Sequence, residues 1–301
     1  MKRISIWSIF ILSVIILVSC SKDNPVAPPD TASDDSAINN LLTVSVYTDT
    51  TSFINDNTTE PYGKSDYAKA DTFPSGVMFA RRITAVTRSV SIVYDSSNSV
   101  ATATISLGFT GQFFVDNDGD TIKDPYVRDI SDQGTRKVWL RKVNGIWRIW
   151  GVSPLEIVSS DHSVTIDSIQ VLGCVNGPIT ILPIEMSTTR LRENLPIFEP
   201  GVTATVNVWS HSVSDSTWPF LHRWVYRLLY RRHIREPLYR EPGYFTRSWG
   251  VSDSILVFPA VRHAAMDVIS GSCLFGDSSA VYSARAWCLP YIVKSPTDSL
   301  P

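Results

Sequence analysis

Apolar and polar positions alternate most regularly between residues 83 and 152. Ile83 to Tyr94 is β-branched and partly alternating, and Ala101 to Val115 alternates through Ala103, Ile105, Leu107, Phe113 and Val115. A period of two predicts strands. Asp95-Ser96-Ser97-Asn98-Ser99 predicts a turn between them, and Asp116 to Asp120 a second turn. Lys137 to Val143 and Ile146 to Val152 are two further strands. They flank Asn144-Gly145, a pair suited to a two-residue hairpin turn with positive φ at both positions. Four strands joined by turns predict an antiparallel meander. Upstream, Ile38, Leu41, Leu42 and Val46 fit one face of a helix, while Val44 and Val46 also alternate as a strand would. Gly63, Pro74 and Gly76 predict that helices between Tyr62 and Ala80 are short or broken.

The second half repeats the strand pattern in shorter pieces. Asp161 to Leu172, Val202 to Trp209, Ile255 to Phe258, Ala265 to Ile269 and Val281 to Val293 read as strands, and Glu199-Pro200-Gly201 as a turn. Several short strands with turn signals between them predict a β-sandwich over 161–297.

The first residues follow a different rule. Met1-Lys2-Arg3 is basic, Ile4 to Val18 is uncharged and mostly apolar, and Ser19 is small. These are the three parts of a secretory signal, here 1–19. The apolar run is short for a spanning helix, which needs about 20 residues. Leu17-Val18-Ser19-Cys20 resembles the lipobox of bacterial lipoproteins. That resemblance implies cleavage before Cys20, a diacylglycerol thioether on its sulfur and an N-acyl chain. Ser21 rather than Asp follows the Cys, which in the enterobacterial members of that family favours the outer membrane. Pro, Asp and Ser dominate Ser21 to Ala37, so 20–37 is expected to be an extended lipidated tether.

Composition narrows the function. The 301 residues carry 27 Lys plus Arg and 29 Asp plus Glu. Cleavage before Cys20 would remove Lys2 and Arg3 and leave a formal charge of −4. No strongly basic face follows from this balance, so nucleic acid is not an expected partner. Lipidation of Cys20 leaves Cys174, Cys273 and Cys288. They permit at most one disulfide, with Cys273–Cys288 the preferred pair if both lie in neighbouring strands. Buried free thiols are the equal alternative.

Arg141-Lys142-Val143-Asn144-Gly145-Ile146-Trp147-Arg148-Ile149, followed by Trp150-Gly151-Val152-Ser153, resembles the closing hairpin of nuclear-transport-factor-2-like domains. The resemblance implies that 38–160 is an α+β module, with a cone-like antiparallel sheet curved around N-terminal helices and enclosing a pocket. Enzymes of that family place a carboxylate or a His in the pocket. The first His is His162, which leaves an Asp base with a Tyr donor, such as Tyr62, Tyr67 or Tyr94, as the acid–base option within the module. Gly276 to Arg285 resembles a late strand of bacterial immunoglobulin-like domains, which implies an immunoglobulin-like sandwich for 161–297.

Two segments carry candidate chemistry. Asp116, Asp118, Asp120 and Asp124 stand at positions 1, 3, 5 and 9 around Gly119. Alternating carboxylates about a Gly can wrap oxygen ligands around Ca²⁺. Position 12 is Val127 rather than the bidentate Glu of an EF-hand, and a plain hairpin tip is the competing reading. Leu221 to Arg247 holds seven Arg and no Lys, with aromatic residues interleaved. Arg223, Trp224, Tyr226, Arg227 and Arg231 are its candidate binding surface, for a partner protein or a glycan. The alternative is a strand pair with one packed and one solvated face, the Arg stems covering apolar surface. No H-E-x-x-H, G-x-S-x-G, P-loop or dinucleotide fingerprint is present. The sequence therefore reads as a lipid-anchored cell-envelope protein of the outer membrane. Its expected role is non-catalytic binding or scaffolding toward an envelope protein or glycan, without a cofactor unless Ca²⁺. The alternative is an enzyme using the first module's pocket.

Overall fold

The computed structural model describes residues 31–50, 73–74, 76–120, 124–213, 215–227, 230–251 and 259–301, with no account of the side chains of Thr31 and of 225–232. Helix α1 (Thr31–Val44) is the first described element. The long strands β1 (Met78–Tyr94), β2 (Val100–Asp116) and β3 (Tyr126–Val143) follow, then β4 (Ile146–Val152), β5 (Leu155–Ser159), β6 (Val164–Leu172) and β7 (Ile179–Ile181). Next come β8 (Arg190–Leu191), β9 (Ile197–Phe198), β10 (Thr203–Ser212), β11 (Thr217–Arg227), β12 (Tyr230–Pro237), β13 (Tyr239–Glu241) and β14 (Tyr244–Gly250). The chain ends with β15 (Ala260–Ser270), a short helix α2 (Gly271–Phe275) and β16 (Ala284–Val293). The expected strand at 255–258 lies outside the described residues.

Among the described residues the strands form two mostly antiparallel sheets. The larger runs β1-β2-β3-β5-β16-β15-β11-β12, and the five-stranded one runs β13-β14-β10-β6-β7. The larger sheet crosses the expected module boundary at 160: β5 pairs with β16 through Glu156↔Trp287, and β3 pairs with β5. Hydrogen bonding therefore joins the two halves side by side. α1 starts at Thr31, seven residues inside the stretch expected to be tether. Asp34 explains this: its carboxylate accepts from Lys142 Nζ at 2.7 Å and from the indole of Trp147 at 3.0 Å, which docks the first helical turn on the β3–β4 hairpin.

The larger sheet curls. β1 carries a bulge between Ile83 and Ala85, and Gly111 of β2 lies so close that a Cβ there would sit 2.1 Å from Arg82 O. Only Gly permits that approach, and a bulge bends the strand that holds it. The bend brings the two edges together, and Arg235 Nη2 of β12 donates to Phe79 O of β1 at 2.5 Å.

β15 and β16 run through the centre and are buried on both faces. Alternation assigns their side chains to two cores. Ala264, Met266, Val268, Trp287, Leu289 and Tyr291 pack on the five-stranded sheet, against Val171 and Val206, with Phe198 of β9 in the same core. Ala265, Ala286 and Cys288 point the other way, into the hollow of the curled sheet. There they meet Ile38 and Leu42 of α1 and the inner residues of β2 and β3. At the far end of the hollow Phe73, Phe79, Phe113 and Phe220 form an aromatic cluster, with Phe79 and Phe220 centroids 4.9 Å apart.

Candidate functional site

The middle of the hollow, between its aliphatic and aromatic ends, is ionic. Arg81 of β1 and Asp267 of β15 lie across the interior, 1% and 0% exposed. They bond through two parallel contacts, Nη1–Oδ2 at 2.5 Å and Nη2–Oδ1 at 2.9 Å. His222 of β11 places Nε2 3.1 Å from Asp267 Oδ2. Arg81 Nε donates to the Tyr282 hydroxyl at 2.9 Å, and that hydroxyl donates to Asp132 Oδ2 of β3 at 3.3 Å. Arg81, Asp132, His222 and Asp267 occupy inward positions of their strands, Tyr282 lies two residues before β16, and curling brings these distant segments within side-chain reach.

The electrostatics separate the two carboxylates. Burial alone would raise Asp267, but Arg81 and His222 outweigh it and hold its carboxyl at about 2. Burial dominates at Asp132, where Arg81 is a more distant counter-charge, and its carboxyl rises to about 6. Asp132 Oδ1 is buried without a hydrogen-bond partner. Nearby, Arg136 donates to Tyr47 O at 3.1 Å and Cys288 O at 3.2 Å. His263 sits 2.6 Å from Val46 O, and burial together with the Arg136 charge lowers it to about 4. An Asp–Tyr pair thus exists, but Tyr282 comes from the second half of the chain. His222 and His263 also enter the hollow from beyond 160, so the absence of His from the first module does not keep His out of it.

A second site lies on the sandwich side. A cleft of about 460 Å³ is lined by Arg223, Glu236, Tyr239, Glu241 and the edge of β14 from Thr246 to Gly250. Glu236 bridges two cations: Oε2 accepts from Arg223 Nη2 at 3.0 Å and Oε1 from Arg247 Nη2 at 2.8 Å. Arg247 is buried, and its guanidinium covers the Tyr239 ring at 5.1 Å.

The structure distributes the sequence candidates unevenly. The Arg-rich stretch is a strand pair, with Trp224↔His233 and Tyr226↔Arg231 opposite one another. Arg223 faces the cleft, while the half-buried Trp224 ring turns the other way to meet His233 at 5.4 Å. The side chains of Tyr226, Arg227 and Arg231 lie outside the described residues, as does Cys20. In the acidic turn, Asp118, Asp120 and Asp124 each bring a carboxylate oxygen within 4.8 Å of the others, all exposed. Asp116 is buried beside them, and burial first, then the charges of Asp118, Asp124 and Asp120, raise its carboxyl. The expected Cys273–Cys288 disulfide is not formed. Cys273 sits on α2 rather than a strand, in the aromatic cluster, while Cys288 faces the aliphatic one. Burial pushes their thiols up to about 11 and about 12.

No protein-family profile matches the sequence, and no curated protein matches it.

Proposed function

We propose that this chain is a lipid-anchored cell-envelope protein with a non-catalytic binding role. The observation that carries the binding reading is how the polar groups are spent. Arg81, Asp267, His222 and Tyr282 are bonded to one another at 0–3% exposure, as interior ties are, whereas the Arg223–Glu236–Arg247 triad lines an open cleft. Asp132 with Tyr282 is the pair an acid–base enzyme would use. It is sealed beneath Phe113, whose ring stands 5.2 Å from Tyr282, which favours binding over catalysis.

The anchor reading rests on Leu17-Val18-Ser19-Cys20 and the apolar run before it. No helix among the described residues is long and apolar enough to cross a membrane. Two or more acyl chains make attachment stable, at about 0.8 kcal/mol per buried methylene. The outer membrane is the proposed address.

Within this proposal the N-terminal half is nuclear-transport-factor-2-like, supported by its long curled strands and the helix packed in their hollow. The C-terminal half is an immunoglobulin-like sandwich that shares strands with the larger sheet, supported by the five-stranded sheet packed on β15 and β16. The acidic turn is a structural Ca²⁺ site, supported by the convergence of Asp118, Asp120 and Asp124.

The test is Cys20→Ala expressed in the native host. Loss of acyl labelling and a shift from the detergent phase to the aqueous phase are expected. Unchanged membrane attachment would remove the anchor from the proposal.

A further inference from the structure

The cleft beside β14 has an unusual floor. Val251 N–H donates to Val202 O at 2.8 Å, and Gly201 N–H donates to Val251 O at 2.8 Å. In an antiparallel ladder the backbone groups of successive residues point to opposite sides. Val251, Trp249 and Arg247 therefore bond toward β10. Tyr244, Thr246, Ser248 and Gly250 point the other way, toward β13. β13 meets only the first part of this edge, through Glu241↔Tyr244 to Tyr239↔Thr246. Among the described residues no strand pairs with Ser248 or Gly250 on that side.

The reason is a change of sheet. In register, Pro237 would face Ser248, but Pro237 belongs to β12 of the larger sheet, opposite Phe220. Leu238 N–H is committed to Pro219 O at 2.9 Å. Proline also has no N–H to offer β14. The chain turns the corner between the sheets here and, among the described residues, leaves the outer half of β14 unpaired on this side.

We propose that this free edge binds an extended peptide segment of a partner protein, which adds to β14 as a further strand. This deepens the binding reading above and is independent of the lipid anchor. The edge chemistry and the preformed wall select a peptide. Ser248 and Gly250 present backbone donors and acceptors at strand spacing, which an extended chain matches group for group. Ser248 and Gly250 are both exposed, so the edge at these two positions is reached from solvent. The wall is locked in advance by the Glu236 contacts to Arg223 and Arg247, which reduces the ordering cost of binding. A saccharide is disfavoured because Arg247 covers the Tyr239 ring and Trp249 is 7% exposed, so neither offers an open stacking face. A simple anion is disfavoured because Arg223 and Arg247 are balanced by Glu236 and Glu241. A bound residue directed at the Arg223–Glu236 pair meets a donor fork beside an acceptor, which fits an amide or hydroxyl side chain.

The test uses the full-length chain in detergent as the target for a displayed library of random linear peptides, with enriched sequences measured by fluorescence anisotropy. Ser248→Pro removes an N–H that points into the cleft and no backbone ladder bond to β10, losing there only the exposed hydroxyl contact to Thr205 Oγ1 at 2.7 Å, so the fold is retained. It is expected to weaken binding at least about tenfold. N-methylation of alternate amides in the peptide should do the same without touching the protein. An empty selection, or peptides whose affinity ignores both changes, would overturn the proposal. Partitioning of Cys20→Ala judges the anchor separately.

Discussion

At the scale of single residues, the hollow shows how a β-protein keeps charges inside. Moving Arg81 and Asp267 out of water costs several kcal/mol for each ion. Bidentate geometry and the His222 contact compensate Asp267, and its lowered carboxyl expresses that compensation. Asp132 is the uncompensated member, and its linkage runs the other way. Its folded value of about 6 lies above the unfolded value near 3.8. The folded protein therefore holds this proton more tightly, and stability contributed by the protonated form is lost as pH rises through 6. By linkage the loss between pH 5 and pH 8 amounts to about 1 kcal/mol. Asp132→Asn should remove this component. Urea unfolding of wild type and variant at both pH values measures it, and identical pH dependence would show that Asp132 is not raised. None of these residues stood out in the sequence, where Arg81, Asp132, His222, Asp267 and Tyr282 are scattered. A signal was present nonetheless. Asp267 sits at an inward position of an apolar strand, between Met266 and Val268, and a charge there needs a buried partner.

At the scale of elements, local chemistry was legible wherever a turn or an alternating face defined it. The hairpin at Asn144-Gly145 forms with φ values of 51° and 78°, and the turns near 95 and 116 fall where Asp, Ser and Asn cluster. The first half of β3 was not legible. Its inward positions are Arg128, Ile130, Asp132, Gly134 and Arg136, so the face that should read as apolar is mostly polar. Its burial comes from the ionic interior, which hydrophobic alternation cannot report. The acidic turn at the end of β2 makes an element-scale prediction. Asp118 Oδ1 accepts the Asp120 N–H at 3.1 Å, which holds the bend, while the neighbouring carboxylates repel one another. A bound Ca²⁺ would relieve that repulsion and stabilise the folded state by mass action. Excess Ca²⁺ is therefore expected to raise the melting temperature of the wild type and to leave Asp118→Asn/Asp120→Asn unmoved. Equal melting curves with Ca²⁺ and with chelator would assign the turn to geometry alone.

At the scale of the whole molecule, the sequence suggested two modules meeting near residue 160, and the described strands do not stop there. β5 is bonded on one side to β3 and on the other to β16, so the larger sheet needs both halves to be continuous. Sequence patterns carry no information on this point, because strands that pair across a hundred residues look the same as strands that pair across a turn. The interior is shared as well: Ala265, Ala286, Cys288 and Ile292 complete the aliphatic end of the hollow, and Phe220, Ile269 and Leu274 the aromatic end. A fragment ending at residue 160 would expose these faces, leave Arg81 without Asp267, and deprive Asp132 of its Tyr282 donor. The apolar burial lost on these faces is worth about 25 cal/mol per Å², against a net domain stability of only about 5–15 kcal/mol. Residues 31–160 expressed alone should therefore show no cooperative thermal transition and poorly dispersed amide resonances, whereas residues 31–301 should show both cooperativity and dispersion. A sharply melting, well-dispersed 31–160 fragment would mean that the first half closes its own core, and that the β5–β16 pairing is an interface between finished domains.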